Sequence, residues 1–135
     1  MTPYSQKDKR WGKEVIPNAK GTMATKGCLI TCLASISDIL PLQVLNKLKL
    51  ARAFNLEGMI IHSIAAKALN LTYNGFSSVP SGQCIGCTNK YAKQGVPQHF
   101  FVWLDKNNEI MDPLKGLVVK NTYPIQSYRL YGTKS

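Results

Sequence analysis

From residue 28 the chain turns from scattered polar positions to an apolar run, GCLITCLASI, and hydrophobic side chains keep helical spacing to residue 39. A period near 3.6 residues predicts a helix with a face committed to a core. Pro41 ends that run, because proline brings no amide hydrogen to a helix interior. Residues 42 to 53 and 58 to 69 repeat the amphipathic pattern and predict two more helices. Beyond residue 70 come short runs rich in β-branched and aromatic residues, LTYNGF, QCIGCTNKY, HFFVWLD, EIMD, GLVVK and SYRLYG, several bounded by Gly, Asn or Pro. They predict strands, and together one antiparallel sheet. The segment LDKNNEI carries hairpin chemistry at Asp105 to Asn108, which sets His99 and Asp112 on adjacent strands. Helices first and sheet afterwards imply an α+β fold.

Breaks occur at Pro41 and across SSVPSG (77 to 82), but no repeat, low-complexity segment or linker divides the chain. With 135 residues it reads as one domain, 1–135, large enough to bury a core without disulfides or metal. Lys and Arg number 17 against 7 Asp and Glu, a formal net charge of +10. That excess favours anionic partners such as nucleic acid, membranes, acidic polymers or acidic protein surfaces. The basic residues are spread along the chain, with no aromatic-basic repeat, so a generally basic surface is expected and not a dedicated nucleic-acid groove. The start, MTPYSQKDKRW, lacks the apolar stretch of a signal peptide, and no apolar run is long enough for a membrane span. A cytoplasmic location follows as the expectation, with export or virion association left to another route. Four cysteines, unevenly placed at 28, 32, 84 and 87, predict free thiols in a reducing compartment and not a disulfide framework.

Candidate chemistry centres on Cys28, at the start of the first helical run. A thiol attacks only as thiolate, and a helix N-terminus and a neighbouring imidazolium are two ways of favouring that form. His99 on a strand and Asp112 in an Asp-Pro turn supply an imidazole and a carboxylate to orient it, in an order that suggests a cysteine hydrolase. Each has a plainer reading. Cysteine is among the most buried residue types, histidine can end a strand without chemistry, and Asp-Pro commonly opens a turn. Cys32, one turn after Cys28, reads as core or as a resolving thiol, and His62 as structural. Cys84 and Cys87 have the C-x-x-C spacing at which two thiolates grip one zinc ion; a complete site needs two more ligands, which Cys28 and Cys32 could provide as a four-thiolate site. In a strand the pair faces opposite ways, which favours packing or a redox role.

Four segments, YSQKDKRWG, KGCLITCLA, GVPQHFFVWLD and EIMDPLKG, with SYRLYG as closing strand, fall in an order that resembles the papain-like cysteine peptidases related to the bacteriocin double-glycine leader peptidases. The resemblance covers nearly the whole chain. It implies N-terminal helices packed on a C-terminal antiparallel sheet, Cys28 as nucleophile, His99 as general base and acid, and Asp112 as the residue orienting His99. Gln6 would donate to the oxyanion, a role in which one preorganised amide is worth about 3 kcal/mol. The free N–H of Cys28 would be the second donor. Gly27 would let substrate and backbone approach closely, and Thr25 or Lys26 would assist locally. No metal or organic cofactor is implied.

The expected reaction is hydrolysis of a peptide or isopeptide bond in a protein or peptide substrate. The alternative substrate is the peptide or amide of peptidoglycan, an anionic cell-wall polymer, in a phage or bacterial setting. Two other classes compete: a catalytically silent papain-like domain that binds peptides, and a basic, zinc-stabilised binder of nucleic acid or anionic polymer.

Overall fold

Nine of the ten residues of the helix Cys28–Ser37 are buried, and a helix apolar on every side has to run through a core. In the computed structural model, which describes residues 1 to 134, this helix (α2) is the centre of an α+β fold. It follows a single helical turn, Met23–Lys26 (α1), and leads to Pro41–Leu50 (α3) and His62–Ala68 (α4). Ser135, the last residue of the expected 1–135 domain, lies outside the described residues.

The helices are shorter than their periodicity predicts, for reasons of backbone chemistry. α2 stops at Ser37 because Asp38 takes a left-handed conformation (φ 61°), which short polar side chains tolerate. Pro41 therefore opens α3 instead of ending α2, at the one helical position where its missing amide costs nothing. Gln43 supports the start by accepting the Leu40 N–H on Oε1 at 3.0 Å. Residues 58 to 61, expected as helix, belong instead to a turn in which Asn55 Oδ1 accepts the N–H groups of Glu57 and Met59, each at 2.9 Å. Phe54 then bridges Ile60, so α4 starts only at His62. α1 has no apolar period to announce it; Thr25 Oγ1 accepts the Thr22 N–H at 3.0 Å and holds the turn.

Six strands follow: Leu71–Ser77 (β1), Cys84–Thr88 (β2), His99–Trp103 (β3), Glu109–Asp112 (β4), Leu117–Lys120 (β5) and Ser127–Thr133 (β6). They form one sheet in the order β1-β6-β2-β3-β4-β5, with every neighbour antiparallel. The chain's last strand thus sits inside the sheet, between its first two. Ile85, Cys87, Phe100, Val102 and Met111 join the main core with α2, while Phe101, Ile110 and Tyr123 form a smaller cluster, as alternation along the strands requires. Gly86 makes room for that second cluster, since a Cβ there would come within 2.4 Å of the Phe101 ring. Among the described residues no single helix is long and apolar enough to cross a membrane.

Candidate active site

Cys28 is the first residue of α2, His99 the first of β3 and Asp112 the last of β4. The pairing of Val102 with Met111 and Trp103 with Ile110 sets Asp112 opposite Phe101, one diagonal step from His99 on the same face of the sheet. The two side chains meet there: His99 Nε2 lies 3.0 Å from Asp112 Oδ1, and both are almost wholly buried. The Asp112 carboxylate takes two more donors. The Leu114 N–H reaches Oδ1 at 3.0 Å, and the Tyr123 hydroxyl reaches Oδ2 at 2.5 Å. With Nε2 engaged, Nδ1 is the ring nitrogen left free, and the Cys28 sulfur is near enough to favour the protonated ring.

Charge and burial oppose one another at this cluster, and charge prevails. Burial works to lower the His99 pKa, but the Asp112 hydrogen bond and the nearby Cys28 sulfur overcome it and hold the ring at about 9. Burial likewise works to raise the Asp112 pKa, yet donors from His99, Tyr123 and Leu114 keep it below the ordinary carboxylate value. The folded molecule therefore carries an imidazolium against a carboxylate at neutral pH. Because the folded pKa exceeds the ordinary 6.5, this contribution to stability is complete below about pH 6.5 and fades as pH rises through about 9. Urea melts should show stability falling across that window, by up to about 3 kcal/mol, and falling far less in Asp112→Asn. A flat wild-type profile would mean that His99 is neutral in the native state.

Tyr123 and Tyr91 complete the surround of the ring. Both stand edge-on to it, with centroids 5.5 and 5.7 Å away, and their hydroxyls are 3.1 Å apart. Burial and then the Asp112 contact push the Tyr123 pKa upward, so it stays a phenol and serves as a donor. Sequence reasoning did not select either tyrosine. No motif spacing ties Tyr123, in the loop before β6, to an aspartate in β4.

Gln6 is also drawn in, from a segment that is polar and irregular in sequence. Its backbone N–H donates to Pro113 O at 2.9 Å, directly after Asp112, and its side chain is buried. Nε2 donates to Ala24 O at 3.0 Å and to Met23 O at 3.5 Å, so both amide hydrogens have acceptors, the second through a long bond. The reverse orientation would set Oε1 against two carbonyls. As it stands Oε1 is buried without a donor, at a cost of about 1–3 kcal/mol. The Cys28 N–H has no backbone acceptor among the described residues. Gly27 meets a packing need: a Cβ there would lie 2.5 Å from Met23 O, so glycine lets α1 abut α2. Thr25 is occupied in holding α1.

All four thiols are buried, and Cys28 alone of them lines a cleft. Cys32 is in the core, where burial and then the charges of Cys28 and Asp112 push its pKa well up. Burial raises Cys84 and Cys87 as well, and they belong to opposite sides of β2. All four are free, and among the described residues no group of three or more His, Cys, Asp or Glu is placed to share a metal ion. His62 stacks on Tyr73 at 5.0 Å and has Nδ1 2.7 Å from the Tyr131 hydroxyl. Burial and then the Arg129 charge bring its pKa down to about 4, so it is neutral.

Cys28 opens onto a cleft of about 680 Å³. Leu29, Phe54, Met59, Ile60, Pro97 and Phe100 give it apolar walls, and Lys20, Lys26 and Arg129 give it positive charge. No family model matches the chain, and no curated protein or solved structure does either.

Proposed function

We propose that the chain is a cysteine hydrolase of papain-like fold that cleaves a peptide or isopeptide bond. The observation that carries this reading is the buried His99–Asp112 pair beside the start of α2, where Cys28 lines a cleft and its sulfur favours the protonated ring. A neutral histidine bonded to a carboxylate is an ordinary structural motif. An imidazolium between a carboxylate and a thiol supplies the counter-charge that a thiolate nucleophile requires.

In this reading the Cys28 sulfur attacks the carbonyl carbon, and the electron pair of the C=O bond moves to oxygen. The Cys28 N–H receives the resulting oxyanion, and the Gln6 amide joins it in this reading by giving up its long bond to Met23 O. His99 gives its proton to the leaving nitrogen, the C–N bond breaks, and an acyl thioester remains. Now neutral, His99 takes a proton from water; the hydroxide displaces the sulfur, and the acid leaves while Cys28 returns as thiolate beside a protonated ring. Asp112 keeps the ring aligned throughout and stays ionised.

Iodoacetamide at neutral pH tests the first requirement. Mass spectrometry should find Cys28 alkylated well ahead of Cys32, Cys84 and Cys87, and faster than a model thiol such as N-acetylcysteine. Labelling of Cys28 no faster than the model thiol would count decisively against the proposal.

A further inference from the structure

Arg129 occupies the middle of β6 in the run SYRLY, a cation where the alternation of the strand calls for an inward-facing residue. It is 9 % exposed, less than most arginines by a wide margin. Its guanidinium lies over the rings of Phe76, its partner across β1, at 4.9 Å and of Phe100 at 5.6 Å. Among the described residues its side chain makes one hydrogen bond, from Nη1 to Ser127 Oγ at 2.8 Å. Among the described residues no carboxylate is within ion-pair distance of it. Yet none of its nitrogens is among the buried atoms left without a partner, so its remaining N–H groups reach solvent. Arg129 lines the same cleft as Cys28, where Glu57 is the one acidic lining residue against three basic ones.

A largely buried charge without a counter-ion is costly, and a guanidinium packed over two aromatic rings has fewer orientations open to its fork of donors. We infer that Arg129 is a specificity-determining residue that binds a carboxylate of the substrate in the Cys28 cleft. A planar carboxylate matches that fork with two parallel hydrogen bonds, which a lysine cannot offer. The carboxylate is either the side chain of an acidic residue near the scissile bond or the free α-carboxylate of a peptide end. This inference rests on the hydrolase reading for its substrate, but the binding it describes needs no chemistry at Cys28.

The test uses the full chain carrying Cys28→Ala, immobilised and exposed to a synthetic peptide library in two forms, amidated and with free C-termini. Retained peptides should be enriched in Asp or Glu at one position in the amidated library, which assigns a side-chain carboxylate, or enriched only when the C-terminus is free, which assigns the terminal one. Adding Arg129→Gln should lower affinity for a retained peptide by about 10- to 100-fold and abolish the preference; Arg129→Lys should restore it only in part. As a measurement that needs no variant, the Arg129 Nε–H resonance of the wild-type protein should shift on adding N-acetylglycine and not N-acetylglycinamide. Retention with no carboxylate preference, a preference unchanged by Arg129→Gln, or an Arg129 resonance indifferent to N-acetylglycine would overturn the inference. Slow alkylation of Cys28 together with Arg129-dependent retention would sink the hydrolase reading and leave this one standing, and fast alkylation without the preference would do the reverse.

Discussion

Cys28→Ala is expected to lower turnover of any cleaved substrate by roughly 10⁴-fold or more, since no other group in the cluster can form the acyl intermediate. The thiol is the only one of the four that adjoins the His99 imidazolium while lining the cleft. Cys32 cannot take over, because it is fully buried and burial pushes its pKa well up. The substitution removes one buried sulfur at the edge of the main core, so the cost in stability should be about 1–2 kcal/mol. The two readouts together discriminate: lost turnover with a melting temperature only a few degrees lower assigns a chemical role. Retained turnover in Cys28→Ala would end the cysteine-hydrolase proposal, whatever the fold.

Asp112→Ala should produce the largest loss of stability of any single change at the site. The carboxylate is acceptor to three donors, the His99 ring, the Tyr123 hydroxyl and the Leu114 amide. All three would be left in a region closed to solvent, with the His99 charge unpaired. Breaking a buried pair in this way costs about 3–5 kcal/mol, against a total stability of about 5–15 kcal/mol for a typical domain. A melting temperature lower by roughly 10–20 °C follows. Asp112→Asn separates charge from shape: it keeps an oxygen acceptor and should melt closer to wild type, while the His99 pKa falls back from about 9. Turnover should drop in both variants. An Asp112→Ala protein as stable as wild type would show that this carboxylate is solvated, and the buried network would have to be abandoned.

The strands were legible because β-branched and aromatic runs between turn residues report a local preference, and the hairpin at 105 to 108 needs only its own residues to bring β3 and β4 together. The same locality limited the helices. A hydrophobic period marks which residues face a core, but Asp38 and Arg52 in left-handed conformations and the Asn55 turn decide where helices stop. Those are matters of a single side chain and its neighbours, to which periodicity is blind.

By itself, then, the amino-acid order determined the α+β class and the antiparallel strands, which depend on residue type and short-range spacing, and it offered Cys28, His99 and Asp112 as candidates through their order along the chain and a family resemblance. Only the tertiary structure decided that β6 lies between β1 and β2, that Tyr123 closes on Asp112, that Gln6 turns its amide toward α1, and that Arg129 faces the Cys28 cleft without a carboxylate. The physical reason is the same in each case. These contacts join residues far apart in the chain, and which of them form depends on how the whole sheet and its helices fill space and on which charges are thereby removed from water.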